Sequence, residues 1–163
     1  MIGLADCNNF YASCERVFNP RLKNEAVIVL SNNDGCVIAR NNEAKKLGVK
    51  MGAPVFKIKD TISKYNINVF STNFALYGDM SERVMNTLKS EVDDVEIYSI
   101  DEAFLNFSDF IDKDRAIHIK KKVKQWTGIP VSIGIAPTKS LAKIANHVAK
   151  KYTSNGIFII NND

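Results

Sequence analysis

The sequence predicts an α+β fold, in which antiparallel strands carry helices on one face and a small lobe is inserted within a larger one. Three observations support this prediction. Residues 1–6 form an apolar run that leads into helically spaced apolar residues, residues 95–107 are β-rich on both sides of an acidic pair, and residues 113–160 alternate helical and strand patterns. This order of elements is typical of the ferredoxin-like arrangement.

The first predicted strand, residues 1–6, ends in an isolated acid. Apolar residues then recur at helical spacing from Phe10, and Asn19 and Pro20 end the run. Asp6 therefore lies where a strand opens into a helix N-terminus, whose exposed backbone N–H groups can bind a phosphate. The alternative is that Asp6 caps the helix.

The inserted lobe follows this helix. Its predicted elements are strands at residues 26–30 and 36–39, helices at 42–47 and 57–65, and a strand at 69–71. The turn residues Asn33, Asp34 and Gly35 between the first two strands predict a hairpin. Gly48 is expected to end the first of the two helices.

The rest of the chain returns to the larger lobe. A long helix is predicted over residues 74–92, a second over 113–127, a strand with Val131, Ile133 and Ile135, a third helix, and an edge strand at 157–160. The apolar faces predicted for the three helices are Tyr77, Met80, Val84 and Leu88; Ala116, Ile119, Val123 and Trp126; and Leu141, Ile144, Ala145 and Val148.

The acidic pair Asp101 and Glu102 lies at the bend between the two strands of residues 95–107. In a regular strand the two side chains would point to opposite faces, but a bend allows both to crowd one end of the sheet. Neighbouring carboxylates repel unless a cation lies between them, and such oxygen ligands suit Mg²⁺. The alternative is a solvated acidic turn.

The composition is that of one ordinary domain or two small lobes, with 163 residues, 45% of them hydrophobic and 25% charged. No apolar run approaches the ~20 residues of a membrane span and no signal stretch opens the chain, so we expect a cytoplasmic protein without membrane contact. Cys7, Cys14 and Cys36 are interpreted as reduced thiols, mostly packed in the core. His118 and His147 have no partner at ligand spacing and are interpreted as structural or surface residues.

Charge is segregated along the chain. Residues 113–152 contain ten Lys or Arg and one acid, a net charge of +9, which leaves twelve basic and seventeen acidic residues elsewhere, a net charge of −5. A basic block that follows an acidic centre suits a polyanion that touches both. The alternative is that these lysines form a solvated helix face.

Two segments, residues 6–15 (DCNNFYASCE) and 99–104 (SIDEAF), together resemble the palm of a Y-family translesion DNA polymerase. Three further blocks narrow the resemblance: residues 31–40 (SNNDGCVIAR), residues 48–52 (GVKMG), and a discontinuous block with GIA at 134–136, AK at 142–143 and AKK at 149–151. The set is most similar to the UmuC type, the catalytic subunit of bacterial SOS mutagenesis polymerase V. It covers essentially the whole chain.

The resemblance implies a ferredoxin-like polymerase palm at residues 1–18 and 73–163, with fingers at residues 19–72 whose hairpin covers the nascent base pair. The family continues with a thumb and a little finger, and we expect both to be absent from a chain of 163 residues. The isolated palm and fingers are expected to be a very weak or inactive polymerase.

The resemblance also implies an activity: template-directed DNA synthesis past lesions in the SOS response, by transfer of a deoxynucleoside monophosphate to a primer 3′-hydroxyl. Asp6 and Asp101 would bridge two Mg²⁺ ions, Glu102 would join them at the primer-side ion, and Cys7 would contribute its backbone carbonyl. Two ions so placed assist both the attacking and the leaving oxygen.

The residues that the resemblance assigns to the nucleotide are Asn9, Phe10, Tyr11, Asn42, Lys45 and Lys150. Tyr11 matches the steric gate against a ribose 2′-hydroxyl, although alone it would be interpreted as a core tyrosine. Lys45 replaces a common arginine, and Asn42 replaces a tyrosine of some relatives. The implied partners are primer–template DNA, deoxynucleoside triphosphates and, for a full-length protein, the sliding clamp and SOS accessory proteins.

Two other functions stay open. The chain could be a non-catalytic palm that binds a nucleotide or a partner protein but grips DNA too weakly to polymerise. A nucleotide cyclase has a similar palm with carboxylates at like places. The insert at residues 19–72 and Tyr11 argue against the cyclase.

Overall fold

The computed structural model describes residues 1–32, 35–107 and 113–161. In chain order the elements are β1 (Ile2–Cys7), α1 (Phe10–Phe18), β2 (Val27–Leu30), β3 (Val37–Arg40), α2 (Asn42–Lys46), α3 (Lys59–Tyr65), β4 (Asn68–Ser71), α4 (Phe74–Lys89), β5 (Asp94–Ile97), β6 (Glu102–Asn106), α5 (Lys113–Thr127), β7 (Val131–Ala136), α6 (Lys139–Tyr152) and β8 (Ile157–Ile159). Every element predicted from the sequence is present, with bounds that shift by a few residues. Asn33 and Asp34 of the predicted hairpin turn lie outside the described residues.

The chain divides into two compact units. Unit 1 comprises Met1–Asn8 and Gly78–Asp163, and unit 2 comprises Asn9–Tyr77. The palm and fingers boundaries expected from the sequence, at residues 18/19 and 72/73, differ from this division and stay a prediction. One physical reason for the difference is α1, whose Ala12 packs with Leu22 and Val27 within unit 2.

The sheet of unit 1 has the strand order β5-β6-β1-β7-β8. Strand β1 is antiparallel to both β6 and β7, and β8 is parallel to β7. The elements β1, α4, β5, β6, α5 and β7 follow one another as β-α-β-β-α-β, and their sheet order confirms the predicted α+β, ferredoxin-like fold. The register places Asp6 opposite Glu102 on one side and Ser132 on the other.

Helix α6 packs on β7 and β1 through small residues. Its buried residues are Ala142, Ala145, Asn146 and Ala149. All six residues of β7 are buried, and because neighbouring strand residues point to opposite faces, both faces of β7 must be covered. The prediction of helices on one face is therefore wrong at this strand.

Because α6 lies close to β7, its buried face differs from the apolar face predicted from the sequence. The Asn146 side chain donates to the carbonyls of Leu4 and Ser132, both at 3.0 Å, while Ile144 is 56% exposed. Apolarity alone suggested Ile144 for the buried face, but the space beside β7 admits only small side chains and one bonded amide.

Helix α5 buries Ala116, Ile119 and Val123, as predicted. Trp126 was predicted to face inward and is 61% exposed instead. Its ring lies under the Lys122 ammonium, 4.3 Å from ring centroid to Nζ, which stabilises an indole at the surface. Helix α4 buries Tyr77, Met80, Val84 and Leu88, the predicted face.

Unit 2 is built on the three-stranded sheet β3-β2-β4, in which β2 is wholly buried. Asn41 joins the sheet to α2: its side-chain oxygen accepts from the backbone N–H groups of Ala44 and Val27, both at 3.0 Å. Gly48 follows α2 with a positive φ of 84°, a conformation that suits glycine and ends the helix as predicted.

Of the helices in the described part of the chain, none combines the length and the apolarity needed to cross a membrane.

Candidate active site

Three carboxylates lie at one end of the unit 1 sheet. Asp6 is near the end of β1 and is only 9% exposed, and its Cα partner on β6 is Glu102. The backbone N–H of Cys7 donates to the Asp101 carbonyl at 2.9 Å, so the acidic bend is fastened to β1 immediately beside Asp6. The backbones of the four residues that the sequence assigned to the metal site thus lie next to one another at this end of the sheet.

The bend itself is held by a small set of hydrogen bonds. The backbone N–H groups of Tyr98 and Ser99 both donate to the Glu102 carbonyl, at 3.0 and 3.1 Å. The Ser81 hydroxyl donates to the Ile100 carbonyl at 2.5 Å and so links the bend to α4. These bonds fix the backbone from which Asp101 and Glu102 project.

Ser99 lies between the two acidic side chains of the bend. Its hydroxyl donates to Asp101 Oδ1 at 2.8 Å and lies 3.5 Å from Glu102 Oε2. The sequence analysis did not single out Ser99, although it begins the quoted SIDEAF segment. A hydroxyl that donates to a carboxylate stabilises the charged form of that carboxylate.

The electrostatics of Asp6 are dominated by its burial. The pKa of the Asp6 carboxyl is raised to about 6: desolvation by burial is the main cause, the Lys150 ammonium opposes the rise, and the charges of Glu102 and Asp101 add to it. Lys150 Nζ lies 2.5 Å from Asp6 Oδ1, in a pair of which both members are at most about one-third exposed. Lys150 therefore supplies a cation at the most buried of the three acids.

The donor set fits Mg²⁺ in chemistry, since it consists of carboxylate oxygens and a backbone carbonyl. Within the ranges described, however, no three His, Cys, Asp or Glu side chains are grouped closely enough to hold a metal ion. Asp101 is directed to Ser99 and Asp6 to Lys150. Ion binding would require these side chains to change partners, while the backbone that carries them is already in place.

A second cluster, in unit 2, joins three residues that the sequence assigned to the triphosphate. Asn9 precedes α1 in a left-handed conformation, with φ and ψ both 49°. Its side-chain oxygen accepts from Lys45 Nζ at 2.7 Å, and its side-chain nitrogen donates to Asn42 Oδ1 at 3.4 Å.

The N-cap residue of α1 is Asn9 and not Asp6. The alternative interpretation of Asp6 as a helix cap is therefore removed.

The remaining two assigned residues are aromatic and begin α1. Phe10 is buried, and Tyr11 is half-buried. The Tyr11 ring stacks on the Tyr77 ring, with centroids 4.3 Å apart and an angle of 13° between the planes. Phe74 meets the Tyr11 ring edge-on at 6.2 Å.

The basic block of residues 113–152 is partly engaged within unit 1. Lys122 pairs with Glu91, Lys139 with Glu96 at 2.5 Å, and Lys143 lies 4.0 Å from the Tyr98 ring centroid. Half-buried Lys120, predicted to point outward, bonds to the Asn155 carbonyl, and burial lowers the pKa of its ammonium. The block is therefore less available to a polyanion than its net charge suggests.

The cysteines and histidines agree with their predicted roles. Cys7 and Cys14 are buried free thiols and Cys36 is partly buried. Burial raises the pKa of the Cys14 thiol to about 12, so this thiol is protonated and unreactive at neutral pH. His118 and His147 are exposed, and His118 Nε2 lies 3.2 Å from Glu91 Oε2.

Comparison with known proteins identifies the class. The model of the impB/mucB/samB family (IMS) matches residues 5–147. The chain therefore belongs to this family and is a Y-family domain, as its sequence resemblance predicted.

Among its relatives, the protein UmuC of Salmonella typhimurium is 52% identical, in an alignment that covers 93% of this chain and 37% of that protein. DNA polymerase IV of Saccharolobus solfataricus is 36% identical, in an alignment that covers 97% of this chain and 46% of that protein. The chain thus spans less than half the length of these relatives.

Solved structures share the fold. An insertion ternary complex of Dbh DNA polymerase aligns with a TM-score of 0.84 and 32% identity, over 99% of this chain and 49% of that one. DinB from Sulfolobus solfataricus aligns with a TM-score of 0.81 and 33% identity, over 98% of this chain and 48% of that one.

Proposed function

We propose that the chain is the palm and fingers part of an error-prone DNA polymerase, which extends a primer past template lesions. The observation that carries the proposal is the set of three carboxylates, Asp6, Asp101 and Glu102, at one end of a ferredoxin-like sheet in a member of the impB/mucB/samB family. The activity itself belongs to the whole protein, of which this chain would supply the chemical centre.

Asp6 and Asp101 would hold two Mg²⁺ ions, with Glu102 at the primer-side ion and the Cys7 carbonyl as a further ligand. When bound, the ions activate the primer hydroxyl and neutralise the leaving pyrophosphate. The protein's own task is to keep Asp6 ionised in a buried place. Lys150 would do this through its ion pair with Asp6.

The phosphates of the nucleotide would be held by residues of unit 2. Lys45, Asn42 and the backbone N–H groups of Asn9 and Phe10 offer a cation, an amide and N–H donors, all of which suit phosphate oxygens. Lys45 acts as a point charge here, without the bidentate geometry of arginine.

A second candidate is a module that binds a nucleotide or a protein without catalysis. It is supported by the ion pair of Asp6 with Lys150 and by the hydrogen bond that Asp101 accepts from Ser99, which engage both carboxylates within the protein. Magnesium-dependent primer extension by the full-length protein, lost on Asp6→Asn, separates the two. The absence of extension in that protein would favour the non-catalytic module.

Residues 1–163 alone are expected to bind DNA weakly and without sequence preference. The basic block supplies phosphate contacts, but Lys122 and Lys139 already pair with acids of the same unit. We expect dissociation constants in or above the non-specific range of ~10⁻⁴–10⁻⁶ M at physiological salt, with an affinity that falls as the salt concentration rises. Fluorescence anisotropy across a salt series measures this, beside a primer-extension assay that should be barely positive. Nanomolar binding with a shallow salt slope would contradict the prediction.

Tyr11→Ala in the full-length protein is expected to relax the choice of sugar. If the Tyr11 ring excludes a 2′-hydroxyl, its removal should raise relative ribonucleotide use by about 10- to 200-fold, the range of a steric contact in a pocket. Steady-state incorporation of dATP and ATP opposite template T gives this ratio. Phe56→Ala, which removes an exposed aromatic of unit 2, serves as the control. An unchanged ratio in Tyr11→Ala would mean that Tyr11 is an ordinary packing residue.

A further inference from the structure

Tyr77 contacts both Tyr11 and Glu15 of α1, and Tyr77 and Glu15 together are called the clamp below. Tyr11 and Glu15 are four residues apart on α1 and therefore lie on the same face of the helix. Tyr77 connects them: its ring stacks on Tyr11 at 4.3 Å, and its hydroxyl donates to Glu15 Oε1 at 2.9 Å. One tyrosine thus supports the Tyr11 ring and is itself anchored on the helix that carries Tyr11.

The clamp is well packed. Tyr77 is completely buried, and Phe74 meets the rings of both Tyr11 and Tyr77 edge-on, at 6.2 and 6.3 Å. Burial raises the pKa of the Tyr77 hydroxyl above its ordinary range, and the hydrogen bond to Glu15 adds to the shift. The Tyr77 hydroxyl therefore stays protonated at neutral and moderately alkaline pH and can donate to Glu15 there.

We propose that Glu15 and Tyr77 are positioning residues, which hold the Tyr11 ring in one orientation and thereby set how strongly it rejects a ribonucleotide. A ring can exclude a hydroxyl only to the extent that it cannot turn aside. Side chains whose rotamers are fixed by packing and by hydrogen bonds from a second layer give such rigidity. The inference rests on the steric-gate role proposed for Tyr11.

The test measures kcat/KM for dATP and for ATP with the full-length protein and its variants, expressed as the ratio of the two. Glu15→Ala and Tyr77→Phe both remove the anchoring bond, and each should lower the dATP preference by about 2- to 10-fold, the effect of one ordinary hydrogen bond. Tyr77→Leu also removes the stacked ring and should lower it further, toward the Tyr11→Ala value. Glu15→Gln keeps an acceptor and should restore most of the preference.

The ratio distinguishes positioning from a general loss of folding. A variant that is partly unfolded has fewer active molecules for both nucleotides, so its kcat/KM values fall together and their ratio stays constant. Glu25→Ala removes an exposed glutamate of the same unit and should leave the ratio unchanged.

Three outcomes would contradict the inference, and they have different meanings. If Tyr11→Ala lowers the preference while Glu15→Ala and Tyr77→Leu do not, the gate exists but needs no clamp. If Tyr11→Ala itself has no effect, the proposed gate fails and the clamp fails with it. Equal loss in Glu15→Gln and Glu15→Ala would also contradict the role of the hydrogen bond.

Discussion

Gly134→Ala is expected to destabilise the protein severely. A Cβ atom at this position would lie 2.5 Å from the Cα of Asn146 and closer still to its backbone nitrogen. Because the obstacle is the backbone of α6 and not a side chain, the helix must move away from β7. Overpacking typically costs ~1–3 kcal/mol and more where backbone has to shift, so we expect a loss of at least about 3 kcal/mol.

Urea denaturation followed by circular dichroism measures this loss, which is a large part of an ordinary stability of ~5–15 kcal/mol. Gly78→Ala is the matched control, since its Cβ would meet nothing within 4 Å in helix α4. That change should stabilise the protein by ~0.5–1 kcal/mol, because alanine is the better helix former. If Gly134→Ala were as stable as the unaltered protein, close packing of α6 on β7 would be disproved.

The sequence predicted the order and type of the elements because apolar periodicity is a local property. That Asp6 and Glu102 belong to one site was implied by the family resemblance and not by a local pattern, and the register places the two residues opposite each other. The errors of the sequence prediction concern helix faces. Ile144 and Trp126 are apolar and fall at helical spacing, yet both are exposed. Hydrophobicity identifies a face only when the buried side is filled by large residues.

Other features of the site depend on contacts distant in sequence, which no local pattern reports. The pair of Lys150 with Asp6 joins residues of α6 and β1, and the bond of Tyr77 to Glu15 joins α4 to α1. Tyr77 was correctly predicted as buried, but its partner could not be inferred. Ser99 is part of the acidic segment. Its nearness in sequence to Asp101 and Glu102 was the signal that could have indicated a hydrogen bond to one of them.

The raised pKa of Asp6 gives the candidate metal site a definite pH dependence. Because the folded pKa of about 6 exceeds the ordinary value of 3.8, this carboxyl favours folding below pH 3.8, and that contribution is lost as the pH rises through 6. The apo protein is thus stabilised by protonation of Asp6, whereas metal binding requires the ionised form. Stabilisation by Mg²⁺ and a deoxynucleotide should therefore be large at pH 8 and decline below pH 6.

Asp101→Asn should remove most of that stabilisation at pH 8. A ligand present at 100 times its dissociation constant stabilises the folded state by ~2.7 kcal/mol, and loss of a carboxylate that would hold the ions should reduce the thermal shift to a small remainder. The apo variant should be at least as stable as the unaltered protein, because one of the charges that repel Asp6 is gone. In the full-length protein, primer extension should fall by about 10²–10⁴-fold, as the loss of several kcal/mol of transition-state stabilisation implies.

Differential scanning fluorimetry of residues 1–163 with Mg²⁺ and dATP, at pH 8 and pH 5.5, measures the thermal shift directly. Asp94→Asn is the matched control: it removes an exposed carboxylate of the same unit, which accepts only from Asn106 among the bonds found in the described ranges. This variant should keep the full shift. The comparison separates a specific ion site from a general effect of negative charge on Mg²⁺ binding. An equal shift in Asp101→Asn and Asp94→Asn would show that the ions bind elsewhere, and the catalytic assignment of Asp101 would then be lost.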